Sequence, residues 1–161
     1  TENLVGIAGF GAAAEAAIRD VEQGVWAHVE KLRNILENSI EQISASTICI
    51  GKSRPRLPNT TCMVTQGWKG EMQVMQMDLA GLAVSAGSAC SSGKVKESRV
   101  LRAMGFGASS TGSALRVSLG PETRQKDIHW LVESWSKQYK NWAARAMTAQ
   151  NEQETLNGNF G

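Results

Sequence analysis

Ser113-Ala114-Leu115-Arg116-Val117-Ser118-Leu119-Gly120 decides the fold. Leu115, Val117 and Leu119 alternate with Arg116 and Ser118, the period of a strand with one dry face and one wet face. Such strands belong to antiparallel sheets covered on one side, whereas parallel sheets read as continuous apolar runs. Downstream, Thr123 reads as the N-cap of a long helix whose apolar face is Ile128, Leu131, Val132, Trp135 and Tyr139, with His129 on its solvated side. From about Thr148 the sequence is polar and aperiodic, the pattern of a disordered tail.

Upstream, short β-branched runs alternate with helical ones. Thr47 to Ile50 and Thr60 to Thr65 read as strands, separated by a loop holding Pro55 and Pro58. Glu71 to Leu79 reads as a helix with Met72, Met75 and Leu79 on its core face. Leu82 to Ala86 reads as a short strand. Ser98 is the expected N-cap of a helix carrying Val100, Leu101 and Met104, stopped by Gly105. Two helices precede all of this. In the first, Leu4, Ile7, Ala8, Gly11 and Ala14 share a face, and Gly6, Gly9 and Gly11 suggest close helix packing rather than a dinucleotide loop, which needs a preceding strand. In the second, Val25, Val29, Leu32, Leu36, Ile40 and Ile43 form the apolar stripe. Lys31, Arg33, Glu37 and Glu41 form its expected wet side, and His28 a packing position at the boundary.

The expected fold is α/β (α+β): helices on a small, mostly antiparallel sheet, preceded by two connector helices. Residues 1–45 would be the connector, 46–145 the domain proper and 146–161 the tail. A chain of 161 residues with net charge +2 and no basic stripe lacks the footprint of a nucleic-acid binder. No run approaches the ~20 apolar residues of a membrane span. The cysteines, Cys49, Cys62 and Cys90, are odd in number and lack CxxC spacing, which argues against a disulfide framework or a metal site and favours a reducing compartment. Cys49 and Cys62 lie in strand-like runs, where cysteine behaves as a small buried hydrophobe.

Cys90 differs. It sits in Ser85-Ala86-Gly87-Ser88-Ala89-Cys90-Ser91-Ser92-Gly93, with Lys94, Lys96, Arg99 and Arg102 following against the single acid Glu97. Small neighbours leave a thiol little to pack against, and cations lower its pKa. A reactive thiolate and a Ser/Gly turn that happens to carry a cysteine fit these residues about equally. Arg116 is similarly double: alternation alone favours a solvated strand arginine, while a guanidinium fork also suits a carboxylate.

The ordered series Arg56-Leu57-Pro58-Asn59-Thr60, Ser85 to Cys90, Val100-Leu101-Arg102-Ala103-Met104-Gly105 and Ala114 to Gly120 resembles the C-terminal part of cysteine desulfurases. These are NifS-like pyridoxal-phosphate (PLP) enzymes of the class V aminotransferase group. The resemblance covers roughly residues 1–140. Thr1-Glu2-Asn3 is similar to the segment following the cofactor-binding half, so the chain reads as a fragment that begins in mid-protein. What the resemblance implies is the small domain of a fold-type I PLP enzyme. Cys90 would receive sulfur from L-cysteine as a persulfide, and Arg116 would hold the substrate carboxylate. Thr1 would reach the PLP phosphate of the neighbouring subunit in a homodimer. The partner would be an iron–sulfur scaffold or another sulfur acceptor, in the cytoplasm unless a missing leader directs the protein to an organelle. The family binds PLP through a lysine that directly follows a histidine, and neither His28 nor His129 is followed by lysine. The chain alone is therefore expected to be inactive. A selenocysteine lyase or other class V transaminase is the rival enzyme, and a sulfur-carrier or interaction domain the rival without catalysis.

Overall fold

The computed structural model describes residues 2–87 and 98–158, with side chains to residue 149. Helix α1 spans Leu4–Glu22 and begins where the Asn3 carboxamide oxygen accepts the Gly6 N–H at 3.0 Å. Gly24, at φ 70, breaks it from α2, Val25–Ile43. Four strands follow: β1 (Thr47–Cys49), β2 (Thr60–Thr65), β3 (Ser85–Ala86) and β4 (Ala114–Ser118). Helix α3 (Gly70–Leu79) separates β2 from β3; α4 (Arg99–Ala103) and α5 (Ala108–Thr111) precede β4; α6 runs Gln125–Gly158. The sheet order is β1-β2-β4-β3, every neighbouring pair antiparallel.

The alternation in β4 separates two faces. Leu115 and Val117 face a core closed by Val29, Leu32, Leu36 and Ile40 of α2 and by Ile128, Leu131 and Trp135 of α6. Each of these fully buried aliphatic side chains contributes on the order of 1.5–3 kcal/mol. The apolar stripe of α2 thus closes the core as well as leading into it. Trp68, Trp135, Tyr139 and Trp142 extend the core at one end, Trp135 stacking on Tyr139 with centroids 5.1 Å apart. The opposite face carries a smaller cluster of Val64, Leu101 and Ala114.

Several expectations need correction. Arg33 and Glu37, assigned to the wet side of α2, are 4 % and 0 % exposed, because each finds a partner on the loop before β2. The core face of α3 is Gly70, Gln73 and Met77, whereas Met72, Met75 and Leu79 point outward. Gln73 is buried because its amide is used fully: it donates to the carbonyls of Trp68 and Ser113 and accepts from the Trp135 indole. No residue of α1 is buried, and a Cβ on Gly9 or Gly11 would meet nothing within 4 Å, so these glycines make no close packing among the described residues. His28 is exposed instead of packed. Thr123 accepts the Gly120 N–H, while the Asp127 carboxylate accepts that of Arg124 at the helix start. Helix α6 continues through the expected tail to Gly158, since Ala, Gln and Glu favour helix and no glycine or proline interrupts the run.

Candidate functional site

On the second face of the sheet, antiparallel pairing sets Cys62 of β2 opposite Arg116 of β4, and Arg116 opposite Ser85 of β3. Directly opposed residues project to the same face, so thiol, guanidinium and hydroxyl form a row across three strands. Gly87, at φ 50, turns the chain away after β3. Helix α4 covers the row from the side: the Ser98 hydroxyl accepts the Leu101 N–H at 3.3 Å, and Gly105, at φ 89, follows its end. Ser98 and Gly105 mark the helix boundaries the sequence suggested. Between α4 and the sheet lies a cavity of about 350 Å³, lined by Cys62, Arg116, Gly87, Arg99, Val100 and Met104 among others. Leu101 turns into the small core, while Val100 and Met104 wall the cavity.

Among the described residues Arg116 has no hydrogen bond or ion pair, and none of those that line the cavity is an acid. Arg116 and a second guanidinium, Arg99, line the cavity together, and a planar guanidinium fork matches a carboxylate in shape and charge. Burial pushes the Cys62 thiol up, and the Arg116 charge pulls it partly back. Cys62 is half-buried, packed against the Val64, Leu101 and Ala114 cluster and also part of the cavity wall. Cys49, by contrast, is buried, and burial with the nearby Glu37 and Glu41 charges pushes its thiol up to about 12. That thiol is inert at neutral pH.

The loop that leads into β2 is held by a different set of charges. Arg56 donates to both oxygens of Glu37, at 2.5 and 2.6 Å, in a bidentate pair. Arg33 donates to the Leu57 carbonyl at 2.7 Å and to Glu30 at 2.9 Å. Burial alone would raise the Glu37 carboxyl, but the Arg56 hydrogen bonds and charge hold it below its ordinary range. Sequence reading missed this pair because its members lie 19 positions apart on different elements.

Of the residues singled out from the sequence, Arg116 lies in the cavity; Cys90 and Thr1 lie outside the described residues. Cys62 and Arg99 join Arg116 there, and only the opposition of β2 and β4 reveals the Cys62 pairing. A cofactor aldehyde needs an amine, and no lysine among the described residues lines the cavity; His28 and His129 are exposed on α2 and α6. The described residues therefore fit an anion grip and do not fit a PLP anchor. No group of His, Cys, Asp and Glu among them is arranged to hold a metal ion, and none of their helices is long and apolar enough to cross a membrane.

Comparison with known proteins places this geometry. Residues 1–131 match the family described as aminotransferase class-V. A cysteine desulfurase of Enterobacter agglomerans is 37 % identical over 133 residues, covering 83 % of this chain and 33 % of that protein. One from Cereibacter sphaeroides is 39 % identical over 133 residues, with the same coverage. The structure of a NifS-like protein from Rickettsia africae ESF-5 superposes with a TM-score of 0.76 at 27 % identity, covering 87 % of this chain and 36 % of that one. The chain thus spans about a third of the length of the curated relatives it matches.

Proposed function

The chain belongs to the aminotransferase class-V family, and from that premise we propose that it is the substrate-gripping and sulfur-accepting part of a PLP-dependent cysteine desulfurase. Arg116 in its cavity, with no ion-pair partner and no lining acid among the described residues, is the observation that carries this reading. Arg116 holds the carboxylate of L-cysteine by a charge-assisted fork. Cys90 follows Gly87, which lines the same cavity, by three positions in the sequence. Its thiolate takes the substrate sulfur: L-cysteine and the thiol become L-alanine and an enzyme persulfide, with no external oxidant or reductant. PLP would supply the electron sink that makes the carbon–sulfur bond labile, and no described residue is assigned as its anchor. The persulfide then passes to an acceptor for iron–sulfur cluster assembly. The intact protein acts as a cytoplasmic homodimer in which Thr1 approaches the cofactor phosphate of the neighbouring subunit.

The test is turnover of L-cysteine by the longer protein that contains this sequence. Arg116→Ala is expected to raise KM roughly 10- to 150-fold while leaving PLP bound, the loss of a charged hydrogen bond worth about 1.5–3 kcal/mol. Arg116→Lys restores part of the loss, because a point charge lacks the fork. Cys90→Ala is expected to abolish persulfide formation while L-cysteine still perturbs the cofactor spectrum. The 161-residue chain alone, mixed with PLP and L-cysteine, is expected to release no alanine. Unchanged kinetics in Arg116→Ala would return that residue to a solvated strand position.

A further inference from the structure

A second cavity, of about 270 Å³, lies between the start of α3 and the middle of α6, away from the Arg116 row. Its floor is the Trp68–Trp142 stack, centroids 5.6 Å apart and planes 12° apart. Gly67, at φ 85, lets the backbone lie against the Trp142 ring, where an added Cβ would sit 3.6 Å from Cζ2. Met72 and Gln76 form the α3 wall, and Gln76 Oε1 is buried with no donor. At the rim stand Lys69 and Arg145, neither with a partner among the described residues, and no acid lines the cavity. The polar groove beside α2 differs, since it has an acid in its lining and three of its four cations, Arg33, Lys52 and Arg56, are engaged by Glu30, Glu41 and Glu37.

Met72 also begins the outward stripe that continues through Met75 and Leu79, which are 50 % and 82 % exposed. Positions three and seven residues on share a helix face, so aromatic pocket and apolar stripe form one surface. Methionine at such surfaces adapts to varied apolar partners. The cation rim selects the sign of charge and the indole floor an aromatic anchor.

We propose that this surface docks an acidic polypeptide segment carrying one aromatic anchor. The anchor enters against Trp142, flanking carboxylates meet Lys69 and Arg145, and apolar residues beyond it lie along Met75 and Leu79. The site is independent of the desulfurase reading, because it shares no residue with the Arg116 cavity. Much of it also lies beyond residue 131, where the family match ends.

The test titrates the chain with a synthetic peptide, acetyl-Glu-Asp-Phe-Glu-Glu-Leu-Asp-Gly-amide, by calorimetry and by two-dimensional NMR of indole and side-chain amide N–H groups. Saturable binding is expected, with shifts centred on the Trp142 indole and the Gln76 amide. Arg145→Glu and Lys69→Glu, both at exposed positions that leave the core intact, should each weaken it by about tenfold, equivalent to ~1.4 kcal/mol. Affinity should fall as salt shortens the screening length. Replacing Phe by Ser should weaken binding by a similar factor, and replacing every acid by Lys should abolish it. No saturation below about 1 mM, equivalent to −4.1 kcal/mol, would overturn the proposal. So would equal binding of the basic peptide, or shifts confined to the Arg116 cavity. Tighter binding of single-stranded RNA or anionic vesicles through the same residues would overturn the assignment to a polypeptide.

Discussion

Arg56 lies on the loop that leads into β2 and Arg116 on β4, the strand paired with β2, yet their surroundings are opposite. Arg56 is bound through both terminal nitrogens to a carboxylate that has no solvent exposure. Arg116 stands on an exposed face with no hydrogen-bond partner among the described residues. The first guanidinium is consumed in holding the loop before β2 against α2. The second is held in place by its strand, and no described residue takes up its donors. A charged residue available for binding is recognised by what it lacks inside its own protein, and both kinds occur here on one scaffold.

The largest effect should come from breaking the closed pair. Arg56→Ala strands the Glu37 carboxylate in the core and is expected to cost ~3–5 kcal/mol in urea unfolding. Arg116→Ala should change stability by less than about 0.5 kcal/mol, as at other exposed positions. Similar losses from the two substitutions would erase the distinction.

Acid should narrow the gap between them. The Glu37 carboxyl is held below its ordinary range in the folded chain, so it stabilises above the unfolded carboxylate pKa. That contribution is lost as pH falls from about 4.3 through the lower folded value. Unfolding midpoints of wild type and Arg56→Ala, measured between neutral pH and about pH 3, should therefore converge on acidification. A gap that widens toward acid would contradict the depressed carboxyl.

The smallest effect is on thiol chemistry. A brief iodoacetamide pulse read by mass spectrometry should label Cys90 first, Cys62 more slowly and Cys49 least. Arg116→Gln removes the charge that pulls the Cys62 thiol down, and should slow its labelling at neutral pH. Unchanged Cys62 labelling would mean that the guanidinium does not act across the β2–β4 pair.

Local periodicity made much of this architecture legible. The α2 stripe from Val29 to Ile40, the dry face of β4 and the Ser98 and Gly105 boundaries of α4 follow from neighbours close in sequence. Arg33 and Glu37 were opaque because their partners lie across the fold. The wrong face of α3 was chosen because three methionine and leucine positions outweighed Gly70, Gln73 and Met77, whose fitness for burial depends on contacts with β4 and α6. At the candidate site, Arg116 was readable as a strand position on a wet face, whereas its pairing with Cys62 required the register.

Gly70 has a wider consequence. A methyl group there would lie 2.5 Å from the Ala114 carbonyl oxygen and 3.1 Å from the Ala86 side chain. Its N–H meanwhile donates to the Gly112 carbonyl at 2.9 Å. The start of α3 is thus fitted to the backbone of β4, two residues before Arg116, with no clearance for even one carbon atom. The joint leaves evolution a single choice at position 70, and any error there is transmitted to the strand that aims the free guanidinium.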